Sequence, residues 1–356
     1  MTRRTVRSHR PATIADVAKL AKVSIVSASR VINDSPTVRE STRRAVRGAM
    51  LELGYTPNAA AQMLRTKRSN IMGCVVPDLS NHVTAAVVHA AEKELNGAGL
   101  LLVTASSDLS AQREAQLVQS LCQRGVGGLL IQPGDETSAL VSGAITRAGV
   151  PVVLLDRDVE VPSDRVLFEH YDATRQVVRY LLDLGHRDIA IIATAETARP
   201  GRERLRAFRD ELAAHGLGRI PDGRIFCGSH LAQHGFDAAM ALMSAPSPPT
   251  ALIAAGNLIV LGALKALQSM QIDIPGRLSF VGSDNPLVSE IMTPPLTVIE
   301  RDNASLGQLA ARLLMARVKA AGQPHRGLER MTLQSRVILR RSCAPLSPRT
   351  TGAKSR

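Results

Sequence analysis

The chain of 356 residues carries 44 Lys and Arg against 31 Asp and Glu, a net charge of +13, with 45% hydrophobic residues, 2% aromatic residues and no Trp. That length suggests two or three domains with aliphatic cores rather than one small domain. No run of about 18 apolar residues occurs, so no membrane-spanning helix is expected, and the basic start MTRRTVRSHRP lacks the apolar stretch of a secretory signal.

Charge is unevenly placed. Residues 1–68 hold 14 Lys and Arg against 4 Asp and Glu, a net of +10, and residues 340–356 hold five basic and no acidic side chains. The long middle is therefore close to neutral, and a basic head of this kind attracts phosphates. The four cysteines, Cys74, Cys122, Cys227 and Cys343, show no CxxC spacing. They fit scattered small hydrophobes in a reducing cytoplasm, and no metal site or cofactor is expected.

In chain order, residues 1–12 form a flexible basic arm. Residues 13–33, TIADVAKLAKVSIVSASRVIN, suggest two short helices around a tight turn. Thr13 can cap the first, with Asp16 three residues on. Ile14, Val17, Ala18 and Ala21 make its apolar stripe. Ser24 can cap the second, with Val23, Ala28, Val31 and Ile32 facing the first helix and Ile25, Val26, Ser29, Arg30 and Asn33 facing out. On spacing alone such a pair is equally an ordinary helical hairpin or a helix-turn-helix. Residues 40–53 give a third helix with Val46, Met50 and Leu53 inward. After Pro57 and the cap Asn58, the segment AAAQMLR has high helix propensity but is too short to be stable alone.

From Ile71 the pattern changes to strands alternating with helices: IMGCVV, LLLVTA, VGGLLIQP and PVVLLDRD, then IAIIATA and ALIAA, each followed by a helical stretch, with LSFVG completing the second sheet. Such alternation predicts two doubly wound parallel sheets, with ligands at the carboxyl ends of the strands. TPPLTVIERD and the helix after it should cross back to the first lobe, and MTLQSRVILR should end as a strand of the second. Asp78, Asp156, Arg204, Asn257 and Asp284 stand after strands and are the ligand candidates, since such side chains suit hydroxyl groups. Any one of them alone is more readily a helix cap or a solvated loop residue, and their shared place at five strand ends is what marks the set.

The order T-I-x-D-V-A-x-x-A, V-S, S-R-V-I-N, then Gly54-Tyr55-Thr56-Pro57-Asn58 and Ala61-Gln62-Met63-Leu64, resembles the head of the LacI (lactose repressor) family of bacterial regulators. VVLLDRD, LDLGHRDIAII, RERLRAF, SFVGSDN and TPPLTVI resemble that family's effector domain. The resemblance implies an all-α helix-turn-helix head on an α/β core of two parallel-sheet subdomains, like periplasmic sugar-binding proteins. The implied segments are residues 13–56 for the head, 57–70 for a hinge helix and 71–342 for the effector and dimerisation domain. Its lobes are roughly 71–165 with 300–330, and 166–299 with 331–342, before a basic tail at 343–356.

The implied DNA contacts are Thr13, Ser24, Ser29 and Asn33 to phosphates, Arg30 to base edges, and Leu64 as a wedge in the minor groove, with Tyr55 and Asn58 nearby. Ile25 and Val26 take base-reading positions but can only touch thymine methyls. Arg204 and Asp284 are the strongest implied effector contacts. Lys22 stands where the family usually has Gly, Arg39 where a Ser-type cap is usual, and Gly256-Asn257 and Glu169-His170 also depart from the common residues.

The implied protein is a homodimeric repressor in the cytoplasm, associated with the nucleoid. It would bind a pseudo-palindromic double-stranded operator under control of a sugar or sugar acid. Two alternatives are a sugar-binding protein without a DNA role and an enzyme on a Rossmann-like fold. The absence of GxGxxG after a strand, GxxxxGK[ST], HExxH and GxSxG argues against an enzyme.

Overall fold

The computed structural model describes residues 12–32, 35–55, 69–284, 286–320 and 327–346 of the chain, which divides into two compact units, Met1–Arg68 and Ser69–Arg356.

In the first unit, Thr13 starts α1 (Ile14–Leu20) by a reciprocal cap. Its N–H donates to Asp16 Oδ2 at 2.8 Å, and its hydroxyl accepts from Asp16 N–H at 3.4 Å. Ser24 Oγ accepts from Ser27 N–H at 3.0 Å and so opens α2 (Ile25–Ile32). Arg39 stands at the N-cap of α3 (Glu40–Leu53) without a side-chain cap bond. Val17, Ala18, Ala28, Val31, Val46 and Ala49 form the core where the three helices meet. Leu53, expected inside, is 37% exposed. Left-handed Gly54 (φ +59°) turns the chain back so that Tyr55 N–H reaches Met50 O at 2.9 Å, and Tyr55 covers that end of the core instead.

The second unit begins with β1 (Ile71–Val76), α4 (His82–Gly97), β2 (Leu101–Ser106), α5 (Ala111–Gln123), β3 (Leu129–Ile131), α6 (Ala139–Thr146), β4 (Val152–Leu155) and β5 (Asp164–Phe168). Next come α7 (Tyr171–Asp183), β6 (Ile189–Thr194), α8 (Arg199–Ala214), β7 (Ile225–Gly228), α9 (Ala232–Ser244), β8 (Ala251–Ala255), α10 (Asn257–Ser269), β9 (Ser279–Ser283), α11 (Pro286–Ile291) and β10 (Thr297–Glu300). The chain returns through α12 (Asn303–Lys319) and finishes with β11 (Arg330–Leu333) and β12 (Arg336–Ile338).

Two six-stranded sheets result, ordered β11-β5-β4-β3-β1-β2 and β12-β10-β9-β8-β6-β7. Alternate strand residues supply the two faces of each sheet. In the first, Met72, Cys74 and Val76 pack under Val87, Ala91 and Leu95 of α4 and Leu306, Ala310 and Leu314 of α12. Val75, Leu129 and Ile131 face Val118 of α5 and Val141 and Ile145 of α6. The second sheet lies between α9 with α10 and α7 with α8, its largest buried rings being Phe280 and Phe208. α9 and α10 approach so closely that a Cβ on Gly262 would stand 1.8 Å from Ala232 O. No helix among the described residues is long and apolar enough to cross a membrane.

The expected lobe boundaries need correction. β5 pairs with β4, so the first sheet runs past residue 165. MTLQSRVILR is not one strand of the second lobe. β11 pairs parallel with β5, placing Met331 opposite Val166, and β12 pairs antiparallel with β10, placing Val337 opposite Ile299. Between them Ser335 Oγ donates to Glu169 O, where the chain changes sheet. β5 escaped sequence reading because it starts with Asp164-Arg165. Asp164 is buried there because Arg317 of α12 grips both its oxygens, at 2.6 and 2.7 Å. β7 and α9 also went unassigned from the sequence.

Candidate functional site

In the three-helix unit the burial of α2 alternates as an amphipathic helix requires. Ala28 and Val31 are inside, whereas Ile25 and Val26 are 53% and 61% exposed and Arg30 is exposed. Ser29 is half-buried, and Thr13 and Ser24 hold the helix starts by the caps described above. The turn between α1 and α2 carries Lys22 at φ +54°, a left-handed conformation that costs a non-glycine residue on the order of 1 kcal/mol. Tyr55 is half-buried against the core. Asn33, Asn58 and Leu64 lie outside the described residues.

The carboxyl ends of the strands in the larger unit surround a cavity of about 340 Å³. Asp78, Asp156, Arg204 and Asn257 line it, and Asp284 is held by two of its lining residues, Arg204 and Arg301. Gly201 brings α8 against the end of β6, since a Cβ there would meet Thr194 O at 2.4 Å, and this places Arg204 at the wall.

Asp156 and Asp284 follow β4 and β9 and share one backbone state, with φ of +52° and +50°. Such left-handed residues cluster at functional sites. Asp156 is 2% exposed, and its carboxylate accepts from Phe168 N–H at 2.9 Å and His170 Nε2 at 3.0 Å. Arg301 Nη1 donates to it at 3.2 Å, and Arg199 Nη1 stands 3.6 Å away. Burial alone would raise this carboxyl. The hydrogen-bonded imidazole of His170 and the guanidiniums of Arg301 and Arg157 outweigh burial and hold it below the ordinary carboxylate range. Burial pushes His170 down to about 4 against the pull of Asp156, so it donates as a neutral imidazole.

Asp284 Oδ2 accepts from Arg301 Nε at 2.7 Å and Ser283 Oγ at 3.0 Å. Burial would raise Asp284 too, but Arg301 and Arg204 lower it. Arg204 Nη1 donates to Ala255 O at 2.7 Å. Asn257 donates to Asn81 Oδ1 at 2.8 Å, joining the two lobes. Glu136 does the same, accepting from Arg199 N–H at 2.8 Å and Arg202 Nη2 at 2.9 Å. Asp78 accepts from Ser80 N–H and Oγ at 2.8 and 2.7 Å, a local turn on the rim.

Sequence reasoning missed Arg157, Arg199, His170 and Arg301. Arg157 directly follows Asp156, and Arg301 directly follows β10, so the strand-end rule that found the other candidates applies to both.

Residues 13–58 match the family model "Bacterial regulatory proteins, lacI family", and residues 178–343 match "Periplasmic binding protein-like domain". The chain is 30% identical over 335 residues to the HTH-type transcriptional repressor PurR of Salmonella arizonae, across 94% of this chain and 97% of that protein. The chain belongs to the lacI family of bacterial regulatory proteins. This lacI-family chain is also 29% identical over 342 residues to the HTH-type transcriptional regulator DegA of Bacillus subtilis, covering 94% and 99% of the two. Its fold matches the lac repressor dimer bound to operator and the anti-inducer ONPF with a TM-score of 0.82 at 29% identity, covering 94% and 100% of the chains. A complex of the transcriptional regulator CelR with cellobiose matches at 0.69 and 29% identity, covering 93% and 99%. The helix-turn-helix head and two-lobed core are thus those of a DNA-binding transcriptional regulator, not of an enzyme.

Proposed function

We propose that this regulator represses transcription as a homodimer on a pseudo-palindromic operator, at the nucleoid, and that a carbohydrate or sugar acid bound in the 340 Å³ cavity sets its affinity for DNA. The carrying observation is the outer face of α2. Ile25, Val26 and Arg30 project from a helix whose Ala28 and Val31 are fixed in the core, so a rigid reading surface faces solvent. Such a helix fits the major groove, with Arg30 on base edges and the two aliphatic side chains against thymine methyls. Thr13, Ser24 and Ser29 contact phosphates, and Asn33, Tyr55, Asn58 and Leu64 complete the contact set.

The lac repressor dimer on its operator supports the dimeric arrangement, and the CelR complex with cellobiose supports a sugar-sized ligand. Asp156, Arg204, Asn257 and Asp284, with Asp78 at the rim, form the effector site. Because groups from both lobes line this cavity, a ligand there favours one inter-lobe arrangement and shifts the DNA-binding population by its differential affinity. The test is selection of bound duplexes from a random pool, with and without a panel of sugars and sugar acids. Recovery of one palindromic motif whose yield changes with one sugar supports the reading, and recovery of no motif contradicts it.

A further inference from the structure

We infer that the effector of this cleft is a compact hydroxylated anion, a sugar carboxylate or sugar phosphate, gripped between Arg157 of the first lobe and Arg204 of the second; this rests on the inter-lobe effector site proposed above.

The Asp carboxylates that line the cavity, Asp78, Asp135 and Asp156, are already answered by the protein itself, and Asp284 behind them keeps only Oδ1 open. Asp156 is taken by Phe168 N–H, His170 and Arg301, and Asp78 and Asp135 each accept an N–H and a hydroxyl from their own turns. The cations are less well served. Arg157 commits Nε and Nη1 to the carbonyls of Pro133 and Asp156, at 2.7 and 2.8 Å, and the Glu136 carboxylate is 4.0 Å from its Nε. Arg204 is 3% exposed, bonds the carbonyl of Ala255, and its Nη2 has no hydrogen-bond acceptor among the described residues. A buried guanidinium nitrogen without an acceptor is costly, and an oxyanion supplies the planar acceptor pair it fits. Arg204 Nη2 stands 3.7 Å from Asp284 Oδ2, beyond hydrogen-bond reach, and burial pushes Arg204 down to about 10 and also lowers Arg157, so an oxyanion that hydrogen-bonds both would relieve the burial.

The remaining open polar atoms suit hydroxyl groups. Asp284 Oδ1 and Asn303 Oδ1 are buried acceptors, and Thr194 Oγ and His230 Nε2 are also without partners among the described residues. Stacking is poorly provided. Phe168 is the one Phe, Tyr or Trp ring lining the cavity among the described residues, and Arg301 already lies over it at 4.9 Å. A flat base or an uncharged pyranose therefore lacks the aromatic platform that usually holds such rings.

The test is calorimetric titration of the full-length protein with D-gluconate, D-glucose 6-phosphate and D-glucose at one ionic strength. At least one of the two anions should bind about tenfold or more tightly than D-glucose, and which of them does so separates carboxylate from phosphate. Arg157→Gln and Arg204→Gln should each weaken that anion about tenfold or more, while Arg157→Lys keeps most of the affinity. Melting curves of the free variants show that each is folded. Equal binding of D-glucose overturns the charge assignment and leaves the cleft reading standing. So does anion binding unchanged in Arg157→Gln, which would place the anion on the basic head. Binding of none of the three overturns both.

Discussion

Arg301 Nη1 stands 3.2 Å from Asp156 Oδ2, joining a residue that leaves the second sheet to one that leaves the first. The same guanidinium holds Asp284 through Nε at 2.7 Å. One side chain thus neutralises two buried carboxylates from opposite lobes and covers the ring of Phe168.

Arg301→Met should destabilise the effector unit strongly. It leaves Asp156 and Asp284 buried with weakened compensation, a loss on the order of 3–5 kcal/mol. Urea unfolding at neutral pH measures it, and a change below about 1 kcal/mol would show that the bridge is dispensable.

His170 gives the fold a defined acid sensitivity. Its folded value near 4 lies below the ordinary imidazole value of about 6.5, so the unfolded chain binds more protons between those limits. Stability is therefore full above about pH 6.5 and falls as pH drops toward 4, by on the order of 3 kcal/mol from this group. His170→Gln should flatten that slope in a series of unfolding curves. An unchanged slope would assign the acid sensitivity elsewhere.

Glu114 works in the opposite direction. It is 1% exposed, accepts from Gly134 N–H at 3.1 Å, and burial raises it to about 7. A carboxyl raised on folding contributes stability at low pH that is lost as pH rises through its folded value. Glu114→Gln should therefore raise the melting temperature more at pH 8 than at pH 5, as read by calorimetry at the two values. An equal shift at both would mean that the carboxyl keeps its ordinary titration.

Lys22 at φ +54° bears a conformational cost that glycine avoids. Lys22→Gly should stabilise the α1–α2 pair by roughly 0.5–1 kcal/mol. Slower hydrogen exchange of the Val17 and Ala28 amides checks this, and faster exchange would contradict it.

Much of this fold was legible because periodicity is a local property. IMGCVV and ALIAA coincide with β1 and β8, and the outward face of α2 follows from its spacing. The failures were non-local. Asp164 makes β5 look unlike a buried strand, and the guanidinium that pairs with it, Arg317, is 153 residues away. Ser335 splits MTLQSRVILR between sheets through a bond to Glu169, which no window of sequence contains. The strand-end rule points to Asp156 and Asp284, where a carboxylate directly follows the strand. It passed over Arg157 and Arg301, and nothing local told that these cations would share one cavity.

The most direct measurement is fluorescence anisotropy of the full-length protein on its selected operator and on a scrambled duplex, for wild type and Arg30→Ala. The expected result is a loss of roughly 1–3 kcal/mol on the operator with scrambled-duplex affinity nearly unchanged. Equal weakening on both duplexes, or no binding of the wild-type protein to any duplex at low salt, would contradict the reading of α2 as the helix that reads DNA.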